Sequence, residues 1–269
     1  MLPLNYLVSV FEISGTCKVL KGSKMKQLYC LVSLVLLGGN DSKDLFFFTG
    51  YEADEVTSGL EKDLPEAKDA ISRSGTVSRG GKHSICHKIA NAKEYISYNA
   101  HRAESTTMYN KASRYNKGDH YRYQFSTYLP ADWEVDSRES VDIFWQFKRF
   151  EGGPDIFVAV KGNDIVLRSN GLNNRRQDPL VKNYKAGRWY DFRFDILWSS
   201  EGKGSLKAFV RSGDEKEYSE VVSFSGSNMQ NEKDNSTYLK WGIYKPDFDL
   251  SKTKNARVIY HDEISVMKL

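Results

Sequence analysis

The 269-residue chain predicts an all-β fold, a sandwich or barrel of antiparallel strands, on three observations. Aromatic residues are abundant, with 16 Tyr, 14 Phe and 5 Trp, and such side chains favour strands. Short runs of alternating apolar and polar residues recur at the spacing of sandwiches and barrels. Between the runs stand turn formers, among them Gly152-Gly153-Pro154, Gly162-Asn163-Asp164, Lys185-Ala186-Gly187 and Glu201-Gly202-Lys203-Gly204.

At the N-terminal end, Met25-Lys26, the apolar run Leu28 to Leu37 and then Gly38-Gly39 have the charged start, short hydrophobic stretch and small-residue end of a secretory signal peptide. The run is too short to span a membrane. A buried strand is the alternative, since so short an apolar run carries no decisive period. On the signal reading, residues 1–24 are an upstream extension before the better start at Met25, with an ordered extension as the competing view. Residues 25–40 are then the leader, and the mature, secreted chain begins near residue 40. Cys17 and Cys30 fall in that leader, so Cys86 alone remains and the fold is held by its core without an internal disulfide.

Residues 44–269 contain no long Pro, Gly or Ser linker and no repeat, which implies one domain. The stretch Glu61 to Ser72 has mild helical character and is expected to form a short helix ahead of the sheets. In 189–197, Tyr190, Phe192, Phe194 and Ile196 alternate with Asp191, Arg193 and Asp195, a half-buried strand of an outer sheet with one wet face.

Three runs carry the polar groups of interest. In Tyr238 to Pro246, Leu239, Trp241 and Ile243 share one face, while Tyr238, Lys240, Gly242 and Tyr244 share the other. The glycine leaves room for something to approach the backbone there, though tyrosines on strands also simply pack or cap an edge. In Val141 to Lys148, Val141, Ile143, Trp145 and Phe147 oppose Asp142, Phe144, Gln146 and Lys148. The run Tyr95 to Glu104 ends in His101-Arg102-Ala103-Glu104, where Arg102 offers a planar fork to a carboxylate or forms a surface ion pair with Glu104.

The formal charge of +4, from 39 basic and 35 acidic residues, is small, and no basic run or interleaving of aromatic and basic residues marks a nucleic-acid binder. No zinc spacing, P-loop, Gly-x-Ser-x-Gly elbow or dinucleotide fingerprint appears, which argues against nucleotide and serine-hydrolase chemistry.

Taken together, His101-Arg102-Ala103-Glu104, Phe144-Trp145-Gln146-Phe147-Lys148, Tyr238-Leu239-Lys240-Trp241-Gly242-Ile243-Tyr244 and the closing Tyr260-His261-Asp262-Glu263-Ile264 resemble the polysaccharide lyases of the heparin lyase and glucuronan lyase type. The resemblance spans about residues 46 to 269 and implies a β-jelly roll, a concanavalin-like sandwich similar to that of alginate lyases. It further implies β-elimination on a uronate-containing acidic polysaccharide such as glucuronan or alginate, with no cofactor for the chemistry and no nucleic-acid or membrane partner.

The resemblance assigns Tyr244 the proton-transferring phenol and Arg102 and Gln146 the uronate carboxylate, whose neutralisation offsets the charge that grows when the C5 proton leaves. Where such lyases often carry Gln-x-His, this chain has Gln146-Phe147-Lys148, so the base is open among His101, Lys148 and Tyr244. A phenol of reference pKa ~10 needs a nearby cation to act as base, whereas it can donate a proton unaided. Lys240 lies four residues from Tyr244, roughly 13 Å along a straight strand, and is therefore expected to grip another sugar, with Tyr238 and Phe144 as further substrate contacts.

Glu52 near the first strand and Asp262 near the last are expected to meet, either as oxygen ligands of a structural calcium or as two solvated acids. The competing functions are a lectin-like carbohydrate-binding jelly roll and a glycoside hydrolase; the latter needs a carboxylate pair across the cleft, and no Glu-x-Asp-x-x-Glu strand is present.

Overall fold

The computed structural model describes residues 44–52, 61–63, 66–135, 141–231, 236–246 and 256–269. The signal-like run after Met25 lies outside the described residues. In chain order the strands are β1 Leu45–Thr49, β2 Glu61–Asp63, β3 Ile71–Ser74, β4 Ser84–Ala90, β5 Ile96–Ser97, β6 Ala100–Thr106, β7 His120–Leu129 and β8 Asp142–Arg149. They continue as β9 Ile156–Lys161, β10 Asp164–Gly171, β11 Asn174–Val181, β12 Arg188–Leu197, β13 Ser205–Ser212, β14 Ser219–Ser225, β15 Thr237–Lys245 and β16 Ala256–Lys268.

Turn chemistry at the predicted breaks folds these strands into two antiparallel sheets of eight, as a jelly-roll sandwich requires. The back sheet runs β14-β13-β12-β7-β16-β4-β3, with β1 also on β16; the front sheet runs β11-β10-β9-β8-β15-β6-β2, with β5 on β6. The helical expectation for Glu61 to Ser72 is wrong: β2 and β3 occupy its two ends, each paired to a longer strand. Cross-strand pairing overrides weak helical propensity there. Helix among the described residues is confined to two single 3₁₀ turns, Lys93–Tyr95 and Lys111–Ser113.

Alternation supplies the core. Tyr190, Phe192, Phe194 and Ile196 of β12 point inward as their spacing predicts. Phe125 of the back sheet stacks on Trp145 of the front sheet at 3.8 Å between centroids, and Trp145 in turn stacks on Trp241 at 5.9 Å. The indole N–H groups of Trp241 and Trp198 donate to the phenol oxygens of Tyr51 and Tyr123 at 2.7 and 2.9 Å, so these large rings are buried without an orphaned polar edge.

The front sheet carries a compound irregularity. Between the pairs Trp241↔Trp145 and Tyr244↔Ile143, β15 has one residue more than β8, and β8 has one residue more than β9 between Trp145 and Ile143. Gly242, at φ +142°, is part of the bulge on β15. A Cβ at this position would overlap the Ala103 carbonyl oxygen and stand 2.8 Å from Glu104 Cα and 2.9 Å from His87 Cδ2. The glycine is therefore required by the close approach of β6 and the core, and not by room for a ligand.

Candidate active site

The bulge decides which groups share the open face of the front sheet. On β15, Tyr238, Lys240 and Tyr244 keep to that face, while Leu239, Trp241 and Ile243 enter the core. On β6, Thr106, Glu104 and Arg102 face the same way, opposite Lys240, Gly242 and Tyr244. On β8, Lys148 and Gln146 stand opposite Tyr238 and Lys240.

Past the extra residue the order on β8 reverses, since a one-residue slip exchanges faces. Ile143 joins Tyr244, Phe157, Ala159 and Val166 on the open face. Phe144, expected as a substrate contact, turns inward instead: it is 2% exposed and meets the rings of Phe192 and His261 at 6.0 and 6.2 Å.

At the centre lies the glutamate of the Arg-x-Glu run. Glu104 is 1% exposed, and its carboxylate takes three partners. The Gln146 amide donates to Oε1 at 2.5 Å; Lys240 Nζ stands 2.7 Å and Arg102 Nη1 3.7 Å from Oε2. Carboxylate and ammonium thus satisfy each other where water does not reach, the condition under which a buried charge is tolerated. The only signal in the sequence was the Arg-x-Glu spacing, which fixes a shared face but not burial.

Arg102 is set by its neighbours. Its Nε donates to the Ser97 carbonyl oxygen at 3.0 Å, and its guanidinium lies 4.2 Å from the ring centre of Tyr244 and 5.6 Å from that of the exposed Tyr98. The Tyr244 hydroxyl has no hydrogen-bond partner among the described residues. Tyr244, Arg102, Glu104, Gln146 and Lys240 consequently form one continuous cluster.

The other expected residues either leave the cluster or are engaged within the protein. His101 precedes Arg102 on a regular strand and so projects from the opposite face, paired with Lys245, whose ammonium turns to Asp142 at 3.3 Å. Burial lowers the pKa of His101, but strand parity takes it off the site face. Lys148 is opposite Tyr238, six residues from Tyr244 along β15, a separation of roughly 13 to 17 Å of strand rise once the extra residues of the two bulges are discounted. Its ammonium donates to the carbonyl oxygens of Arg149 and Gly152, and burial together with the nearby Lys240 charge pushes its pKa down. Lys240, expected to grip a sugar, is 2% exposed and engaged by Glu104. Tyr238 is buried against Phe150, 5.3 Å between ring centres.

Glu52 and Asp262 do converge, on the loop at 79–83, but both turn to backbone N–H donors. Glu52 Oε1 accepts from Lys82 and His83 at 2.9 Å each, and Asp262 accepts from Arg79, Gly80 and Glu263 at 2.8, 3.1 and 2.8 Å. Among the described residues no three His, Cys, Asp or Glu side chains gather as a metal-ligand set. Burial raises the Asp262 carboxyl to about 7, and burial followed by the Glu52 charge raises that of Glu263.

Comparison with solved structures places this architecture among known sandwiches. The chain is similar to an endo-β-1,4-glucuronan lyase from the fungus Trichoderma reesei, with TM-score 0.65 and 18% identity over 83% of this chain and 95% of that one. It is also similar to a GH131 β-glucanase catalytic domain from Podospora anserina, with TM-score 0.53 and 10% identity over 75% of this chain and 80% of that one. A marine alginate lyase from Aplysia kurodai aligns with TM-score 0.48 and 12% identity over 75% of this chain and 88% of that one. At such identities the likeness to the glucuronan lyase and to the β-glucanase domain shows the fold alone. No curated protein matches the sequence. A family model described as polysaccharide lyase matches residues 48–265.

Proposed function

Because the chain belongs to the polysaccharide lyase family, we propose that it cleaves a uronate-containing acidic glycan, of the glucuronan or alginate kind, by β-elimination at the Tyr244 cluster. The observation that carries this reading is the arrangement of Arg102, whose guanidinium stacks 4.2 Å from the Tyr244 ring while sharing the Glu104 carboxylate with Gln146.

Removing the C5 proton of a uronate puts negative charge onto a ring that already bears a carboxylate, so the catalyst has to supply positive charge and hydrogen-bond donors at that carboxylate. Arg102 uses Nε and Nη1 on Ser97 and Glu104, which leaves Nη2 to bind it. Gln146 gives one amide hydrogen to Glu104 and has the other to offer. Lys240 neutralises Glu104, so this carboxylate orients its partners without repelling the substrate. Tyr244 carries the proton between C5 and the leaving glycosidic oxygen, and the C4–O bond breaks as the C4–C5 double bond forms. The charge work rests on side chains, and this reading calls on no cofactor.

The test is a panel of glucuronan, alginate, ulvan and heparin, followed by the ultraviolet absorbance of the unsaturated product. A rise with at least one uronan is expected. Binding without any unsaturated product would overturn elimination in favour of a lectin-like role, and reducing ends without unsaturation would indicate hydrolysis. We propose secretion on the signal-like run after Met25; N-terminal sequencing of exported protein should begin near residue 40, and an intact Met1 end would overturn it.

A further inference from the structure

Resting on that reading, we propose that Arg168 forms a second carboxylate-binding position on the open face, for a uronate ring that does not itself react. The register lays out a row across the front sheet, perpendicular to the strands: Lys240 is opposite Gln146, Gln146 opposite Phe157, Phe157 opposite Arg168, and Arg168 opposite Gln177. Each step is a strand spacing of ~4.8 Å, so Arg168 stands roughly 10 Å from Gln146. A glycan lying along this row with one ring at Gln146 puts the next ring over Phe157 and the second ring along over Arg168.

The side chain faces that way. Phe157 and Val166 belong to the open-face cluster that includes Tyr244, whereas Ile165 and Leu167 are in the core, so alternation puts Arg168 beside Val166. Its guanidinium lies 5.2 Å from the centre of the Phe157 ring, and Nη2 donates to Gln177 Oε1 at 2.8 Å. Two supports fix the plane of the fork and leave donors unused. No carboxylate among the described residues pairs with Arg168, in contrast to Arg79, Arg122, Arg149, Arg176 and Arg211, each of which holds an aspartate. A planar fork, stacked and held but lacking its acid, suits bidentate capture of a carboxylate.

Arg175, opposite Asn170 and two residues from Gln177 on the same face, also has no acidic partner among the described residues. The distal end of the row therefore carries positive charge that no acid among the described residues pairs, the polarity a polyanion seeks.

Binding is read by titration calorimetry in a Tyr244→Phe background, using uronate oligomers of increasing length and the neutral β-1,4-glucan oligomers of the same lengths. The parent should gain affinity as the uronate oligomer lengthens enough to reach Arg168. Arg168→Gln should lose that gain, roughly tenfold to a hundredfold on long oligomers. Arg168→Lys should recover only part of it, since it keeps the charge and loses the fork, and neutral oligomers should show no such dependence. If Arg168→Gln follows the parent at every length, or weakens neutral and uronate oligomers alike, the assignment is wrong while elimination by wild type still supports the reading it rests on. If wild type neither binds nor eliminates any uronan, both fall.

Discussion

The Gln146 amide donates to the Glu104 carboxylate at 2.5 Å, across the bulged part of β15 that lies between their strands. Lys240 closes the same carboxylate from β15 at 2.7 Å, and both members of that ion pair are buried. Removing one partner strands the other charge. Glu104→Ala should therefore destabilise the fold by about 3 to 5 kcal/mol in denaturant unfolding, and Lys240→Met in the same chain should recover much of it. A purely superficial ion pair would instead cost under about 1 kcal/mol.

Phe144 separates packing from binding. It is inside the core against Phe192 and His261, so Phe144→Ala should cost about 3 to 5 kcal/mol by the cavity it leaves. Calorimetric affinity of the protein that remains folded should match wild type. Loss of affinity at full stability would return Phe144 to the open face.

These two residues show what the sequence could and could not convey. Alternation in β15 is legible because its apolar set, Leu239, Trp241 and Ile243, needs only its own period of two. Phe144 is not, because the slip on β8 exists only in relation to β9 and β15, and one extra residue reverses every parity beyond it. Glu104 is legible in its face but not its burial, which depends on Gln146 and Lys240 arriving from two other strands. His101 fails for the reverse reason: adjacency to Arg102 already assigns it to the other face. Arg168 lies outside the motifs and gains meaning only through the register.

Acid should weaken the sandwich through His87 and His261, which are buried between the sheets with ring centres 5.5 Å apart. Burial holds the His261 pKa down at about 3 and that of His87 well below the ordinary value. The unfolded chain takes up these protons near pH ~6.5, so stability is full above that value and is lost as pH falls toward the folded values, by about 1.4 kcal/mol per unit for each ring. Asp262 opposes this: its carboxyl is raised to about 7, so its contribution is present below the unfolded value of ~3.9 and lost as pH rises through 7. Urea unfolding at pH 7 and pH 5 should show a smaller acid loss in His261→Phe than in wild type. Equal losses would mean that His261 is not a source of the acid sensitivity.

Tyr244 and Lys148 are competing proton acceptors that the register holds apart, and kinetics can choose between them. The Tyr244 hydroxyl has no hydrogen-bond partner among the described residues and Arg102 is stacked on its ring, whereas the Lys148 ammonium is tied to two backbone carbonyls opposite Tyr238. Tyr244→Phe removes one hydroxyl and keeps the ring that packs on Ile143 and Arg102, so the unfolding midpoint should stay within experimental scatter. Its kcat on the best uronan should fall by ~10² to ~10⁴, the usual contribution of a positioned acid or base. Lys148→Ala should act mainly through KM, because a lysine that far along the sheet reaches a different ring. Near-full turnover in Tyr244→Phe, with kcat abolished in Lys148→Ala, would make Lys148 the base and leave Tyr244 a packing residue. The lowered pKa of Lys148 gives that outcome its chemistry, and its register position opposite Tyr238, several residues along the sheet from Tyr244, is what argues against it.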